Sequence, residues 1–265
     1  MRLLSIASGS SGNCIYIGTD NTHILIDAGI SGRRIEEGLR EADLSVNDIS
    51  AICVTHEHID HIRSLGVIAR KYGVPIYMTQ GTYERTMETS SVGRIDEGLF
   101  HIISAENEFT IGDIDITPME ISHDAAEPVA YIAHSNGQGM GVVTDLGVYT
   151  DHQIELMQGL DVLLLEANHD VRMLEMGPYP YSLKMRILSE QGHLSNESSG
   201  RLLDAVLHDH FGTVLLGHLS KENNMAELAY ETVKAEIDMS ESPYRGKDFP
   251  IIVARRDRPS DLFEI

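Results

Sequence analysis

The 265-residue sequence predicts one α/β domain spanning residues 1–265, with two β-sheets packed together and covered by helices. Three observations lead there. Short apolar, β-branched runs bounded by Gly, Asn and Asp recur along the chain. Helix-period stretches alternate with strands in both halves. No internal repeat, low-complexity tract or Pro/Ser-rich linker divides them.

In order, "RLLSIAS", "CIYIG" and "THILIDAG" read as opening strands with turn residues between them. "SGRRIEEGLREADL" reads as an amphipathic helix capped by Ser31, with Ile35 and Leu39 four apart. "ISAICVT" is a strand, "HIRSLGVIARKYG" a helix ending at Gly73, and "VPIYM" another strand. The middle is strand-rich: "FHIIS", "EFTIGDIDITPMEIS", "PVAYIAHS" and "GMGVVTD". "TDHQIELMQGL", "SNESSGRLLDAVLHDH" and "MAELAYETVKAEI" follow as helices, interleaved with the strands "DVLLLEAN" and "GTVLLGH" and closed by "DFPIIVARR".

No stretch approaches the roughly 18 apolar residues a membrane span needs. The N-terminus runs straight into a Gly/Ser loop, so it reads as a core strand and not a secretory signal, which points to the cytoplasm. Cys14 and Cys53 could form one bridge, but their strand contexts favour buried free thiols. A net charge of −21 argues against a generally basic nucleic-acid surface. It leaves room for a local basic patch and for bound divalent cations that offset it.

The densest chemical signal is "THEHIDH". His56-x-His58 places two imidazoles on one side of an extended segment, and Asp60 and His61 follow where the chain turns into a helix. One short loop can thus serve two adjacent metal ions, and imidazole plus carboxylate without thiolate suits zinc, manganese or iron. The plainer alternative is a solvated loop with Asp60 as a helix cap. His123, Asp145 and His218 each end an apolar run, as ligands aimed from a sheet edge would; singly, each reads equally well as a core histidine or a turn aspartate.

The ordered set "LIDAG", "THEHIDH", His123, "TDLG" and "GHLS" resembles the metallo-β-lactamase superfamily over essentially the whole chain. That resemblance implies an αββα four-layer sandwich of two mixed β-sheets flanked by helices, with a di-metal centre. His56, His58 and His123 would hold one ion. Asp60, His61 and His218 would hold the other, Asp145 would bridge them, and Asp27 would orient a ligand histidine. Two ions roughly 3.5–4 Å apart can share a hydroxide and polarise a phosphoryl oxygen, so no protein nucleophile is needed. Ser10 and Ser11 in "SGSSGN" then read as a tight turn, or as backbone that approaches a phosphate.

"LEANH" followed by "GHLSNESSG" is similar to the tRNase Z-like nuclease branch, although Asn168 stands where that branch has Thr. By that similarity Glu166 and His193 form an acid pair that, with Asp60, serves catalysis. "EANHDVRMLEMGPYPYSLKMRILSEQGHLSN" and "SIASGSSGNC" resemble the YycJ (WalJ) subgroup, which implies a 5′-to-3′ double-stranded DNA exonuclease. His169 would then be a substrate contact or an extra metal ligand, or else simply cap the next helix. Lys184, Arg186, Arg201, Lys221, Arg255 and Arg256 are the candidate phosphate contacts, and Tyr179 and Tyr181 could stack on a terminal base. The alternatives are a small-molecule hydrolase acting on a cyclic phosphodiester or lactam, and a metal-stabilised regulatory protein without turnover.

Overall fold

The structure, a computed structural model, describes residues Met1–Ile265 and divides into two compact units. The first unit holds Met1–Glu120, Ala125–Met140 and Arg255–Ile265; the second holds Ile121–Asp124 and Gly141–Ala254.

In the first unit β1 (Arg2–Ala7), β2 (Cys14–Gly18) and β3 (His23–Ile26) run antiparallel, and β4 (Ala51–Cys53), β5 (Ile76–Thr79) and β6 (Phe100–Ile103) continue the sheet in parallel. Parallel neighbours need crossovers. These are α1 (Gly32–Leu39), then α2 (Ile59–Ile62) with α3 (Leu65–Tyr72), then α4 (Gln80–Glu88). Ser31 caps α1 by accepting from the Arg34 N–H, and Gly73 closes α3 at φ 67, the left-handed conformation glycine adopts without a Cβ penalty. Leu4, Ile6, Tyr16, Leu25, Ile52, Ile76 and Met78 form the core with Ile35, Leu39, Leu65 and Ile68 from the helices. Each such side chain contributes roughly 1.5–3 kcal/mol on burial. Antiparallel β7 (Phe109–Ile111), β8 (Ile114–Glu120) and β9 (Val129–Ser135) belong here too, and the buried Tyr131 hydroxyl on β9 donates to the Val54 carbonyl at 2.8 Å, just past β4.

β10 (Gln138–Val143) leads into the second unit, which adds α5 (Asp151–Met157), β11 (Val162–Glu166), α6 (Val171–Met176), α7 (Tyr181–Ile187), α8 (Asn196–Val206), β12 (Thr213–Gly217), α9 (Ala226–Met239) and β13 (Ile251–Val253). β11, β12 and β13 are parallel, and the near-continuous apolar runs of β11 and β12 fit strands covered on both faces. Gly200 lets α8 and α9 approach, since a Cβ there would lie 2.6 Å from that of Glu236. The closing strand β14 (Phe263–Glu264) pairs with β1. All strands fall into two mixed seven-stranded sheets flanked by helices, β14-β1-β2-β3-β4-β5-β6 and β13-β12-β11-β10-β9-β8-β7. No helix is long and apolar enough to cross a membrane.

Two expectations need adjustment, and neither alternative cap reading holds. "EFTIGDIDITPMEIS" is a hairpin, turned at Gly112–Asp113 with Gly112 at φ 59, as a tight two-residue loop demands. The helix predicted over "HIRSLGVIARKYG" breaks between Ile62 and Leu65 into α2 and α3. The caps also move: His58, not Asp60, precedes α2, and Asp170, not His169, caps α6 by accepting from the Met173 N–H at 2.7 Å. Cys14 and Cys53 are buried free thiols whose pKa values burial pushes up.

Candidate metal centre

The ligand-type residues sit at the carboxyl ends of strands, where open α/β sheets place their ligands. In the first unit, β3 and β4 are parallel with Ile26 opposite Cys53, which sets Asp27 beside Thr55. The Asp27 carboxylate accepts from the Thr55 N–H at 2.9 Å and from His61 Nδ1 at 2.6 Å. The Thr55 hydroxyl lies between Asp27 and His56 Nδ1, 3.0 Å from the latter. Both imidazoles are thereby tethered through Nδ1, which fixes their tautomer and leaves Nε2 as the ligand atom. His56 Nε2 lies 3.0 Å from His58 Nδ1, and His61 Nε2 lies 3.6 Å from Asp60 Oδ2. The loop thus brings together two pairs of ligand-type atoms, His56 with His58 and Asp60 with His61.

The "SGSSGN" segment braces this loop through hydrogen bonds. Ser10 and Ser11 are exposed in a turn closed by the Gly12 N–H on the Gly9 carbonyl. Asn13, unnoticed in the sequence, donates its backbone N–H to the Asp60 carbonyl at 2.8 Å, and its side-chain nitrogen lies 3.1 Å from His61 Nε2. Gly29 of "LIDAG" lies so close beneath that a Cβ would fall 1.5 Å from the Asp60 carbonyl oxygen. Gly29→Ala should therefore destabilise the fold by about 3 kcal/mol or more. Denaturant unfolding checks this, and a variant within about 0.5 kcal/mol of wild type would refute the contact.

In the second unit, β11 and β12 are parallel with Glu166 opposite Gly217, so His218 emerges beside Glu166. Glu166 is fully buried and accepts four hydrogen bonds. His193 Nδ1 and His218 Nδ1 each lie 2.8 Å from Oε1, and the Leu146 and Leu194 N–H groups donate to Oε2 at 3.0 and 3.3 Å. The sequence singled out only the pair with His193; the hold on His218 repeats what Asp27 does for His61. Burial alone would raise the Glu166 pKa, but the two histidines outweigh it and hold the carboxyl well below the usual range. Burial likewise opposes a charged His193, yet the Glu166 carboxylate raises its pKa above the ordinary value.

Asp145 follows β10, and its Oδ1 lies 3.7 Å from His123 Nε2, 3.6 Å from His218 Nε2 and 3.7 Å from His193 Nδ1. His123 is held by its Nδ1 against the Gly192 carbonyl at 3.2 Å. Asp27, Asp145 and His218 have φ values of 65, 61 and 52, a region that residues other than glycine seldom occupy and that clusters at functional sites. Buried imidazole nitrogens and carboxylate oxygens, with Nδ1 tethers behind them and no thiolate among them, fit divalent zinc, manganese or iron.

Several candidate substrate contacts are occupied within the chain. Arg186 pairs with Asp124, Lys184 donates to the Glu175 carbonyl at 2.7 Å, and Arg201 reaches Glu236 and Ser198. Lys221, Arg255 and Tyr181 are exposed. His169 is buried and lines a cavity that also touches His193.

Comparison with known proteins agrees with this architecture. The family described as Beta-lactamase superfamily domain matches residues 22–216. The chain is 43% identical over 233 residues to the exodeoxyribonuclease YycJ of Bacillus anthracis, covering 88% of each protein. It is 39% identical over 260 residues to the exodeoxyribonuclease WalJ of Streptococcus pneumoniae, covering 98% of this chain and 96% of that one. The metallo-β-lactamase fold protein YhfI from Bacillus subtilis superposes with a TM-score of 0.71 at 16% identity, over 98% of both chains, and so shares the fold. The fold implies divalent metal binding, and the chain is a hydrolase that belongs to the β-lactamase superfamily, alongside the exodeoxyribonucleases YycJ and WalJ.

Proposed function

We propose that the chain is a cytoplasmic di-metal phosphodiesterase that degrades double-stranded DNA from its 5′ ends. The observation that carries the metal assignment is Asp145 Oδ1, set almost equally far from His123 Nε2 and His218 Nε2. In this reading His56, His58 and His123 hold one ion, Asp60, His61 and His218 the other, and Asp145 both. Ser10 and Ser11 take no chemical part. The ions, when bound, supply Lewis acidity and a hydroxide nucleophile for attack on the phosphodiester.

The remaining work falls to the chain. Glu166 fixes His193 through Nδ1, which leaves Nε2 to protonate the departing oxygen. Because Glu166 raises the His193 pKa, the protonated donor persists above the ordinary value of about 6.5. The rate should fall as pH climbs through that raised value. The decline should be absent from the residual activity of His193→Ala, and a profile identical in both would remove His193 as the acid.

The DNA reading rests on the two exodeoxyribonuclease relatives. Its test gives protein loaded separately with zinc and with manganese end-labelled duplex DNA, single-stranded DNA and RNA. Stepwise loss of nucleotides from duplex 5′ ends is expected, reduced on the order of 10²–10⁴-fold in His193→Ala with metal content intact. No cleavage of any nucleic acid with either metal would overturn the reading in favour of a small-molecule hydrolase. Activity should also fall steeply with salt, as phosphate contacts require; a flat response would exclude a basic grip on the backbone.

A further inference from the structure

The second unit contains a cavity of about 560 Å³ beside His193, within the roughly 300–1,000 Å³ of small-molecule sites and far larger than a phosphate group alone requires. Its lining is mixed. Val171 and Leu188 are apolar; His169, Arg172, Glu197 and Arg201 are polar.

Two of these polar groups are buried without any hydrogen-bond partner. The His169 ring is 1% exposed and neither of its nitrogens meets a donor or acceptor; Glu197 Oε2 is buried and equally alone. Buried polar groups in folded proteins are nearly always satisfied, and leaving one unmade costs stability. Both residues line one cavity, where rotation of their side chains would present these atoms to a ligand that satisfies them. Burial lowers the His169 pKa to about 4, so the ring is neutral at physiological pH and offers one N–H and one lone pair. Glu197 Oε2 adds an acceptor. This combination of donors and acceptors matches the edge of a nucleobase, which always carries both.

Charge supports the same occupant. Arg172, at the start of α6, is exposed and has no carboxylate partner, unlike Arg186 and Arg201. It is the cation on this wall available to a phosphate.

We propose that this cavity is a nucleotide pocket, which takes one deoxynucleotide with its base edge on His169 and Glu197, its apolar face against Val171 and Leu188, and its phosphate on Arg172. The phosphodiesterase reading is needed only to say which nucleotide this is: the terminal one, seated next to the bond that His193 serves.

The test is calorimetric titration of the metal-loaded, full-length protein with deoxyadenosine 5′-monophosphate, with deoxyadenosine and with inorganic phosphate. The nucleotide should bind at least tenfold more tightly than either fragment. That affinity should fall at least tenfold in Arg172→Ala, a surface change, and in His169→Phe, which removes both ring nitrogens; thermal unfolding reports whether the second variant keeps its fold. Unchanged affinity in Arg172→Ala and in a folded His169→Phe would overturn the proposal, as would phosphate that binds as tightly as the nucleotide. A second arm uses duplex DNA whose terminal nucleotide is abasic. Wild type should cut it at least tenfold more slowly than the intact duplex, and His169→Phe should cut both alike. Nucleotide binding through these residues without cleavage of any nucleic acid would uphold the pocket and overturn the nuclease reading. Cleavage indifferent to the missing base would overturn the pocket and leave the nuclease reading intact.

Discussion

Asp145→Ala is expected to lose metal at both proposed positions and to lower hydrolysis on the order of 10³-fold or more. Its Oδ1 stands 3.7 Å from His123 Nε2 and 3.6 Å from His218 Nε2, so one carboxylate serves two imidazoles that the proposal assigns to different ions. Losing any other single ligand would weaken one ion; losing this one weakens both. Metal catalysis supplies several kcal/mol of transition-state stabilisation, and about 1.4 kcal/mol corresponds to each decade of rate. The measurement is metal content by mass spectrometry alongside turnover. A variant that keeps two ions per chain, or loses one and keeps the other at full occupancy, would refute the bridge.

Glu166→Gln should be nearly as damaging, by a different route. The carboxylate meets four donors, two imidazole Nδ1 groups on Oε1 and two backbone N–H groups on Oε2. An amide has only one oxygen, so in either orientation its NH₂ faces two donors. Unmet buried donors cost about 1–3 kcal/mol, and loss of a group that orients a metal ligand costs about 10–100-fold in affinity. The substitution also removes the charge that raises the His193 pKa, so the high-pH decline in rate should move to lower pH. Three readouts should therefore move together: unfolding midpoint, metal affinity at the site containing His218, and the pH profile. If the pH profile stays in place while the other two change, Glu166 is a structural tether and His193 takes its proton affinity from elsewhere.

The candidate ligands of the loop were legible in the sequence because their chemistry is local: "THEHIDH" needs no knowledge of the fold to be read as a candidate ligand loop. What supports them was not. That Glu166 holds His218 follows from the parallel pairing of β11 with β12, and that Asp27 meets Thr55 follows from β3 with β4; no window along the chain displays either register. Asn13 acts on Asp60 and His61 from far away in sequence, and Gly29 matters only because Asp60 folds onto it. α4 escaped notice because its buried stripe is Thr82 and Thr86, which carry no hydrophobic period. α7 was hidden behind Pro178 and Pro180 and buries only Ile187. His169 stood out as a residue with several readings, but its lack of partners is a property of packing and appears only in three dimensions.

The positive φ angles of Asp27, Asp145 and His218 bear on how long the protein survives in a cell. Each such conformation costs on the order of 1 kcal/mol or more, against a total stability of roughly 5–15 kcal/mol for a folded protein. Ions that bind only the folded chain offset that cost by mass action. Supply of the metal would then act on turnover of the polypeptide as well as on turnover of its substrate. A chain starved of its ions would open more often, meet proteases more often, and be cleared, so that abundance itself follows metal availability.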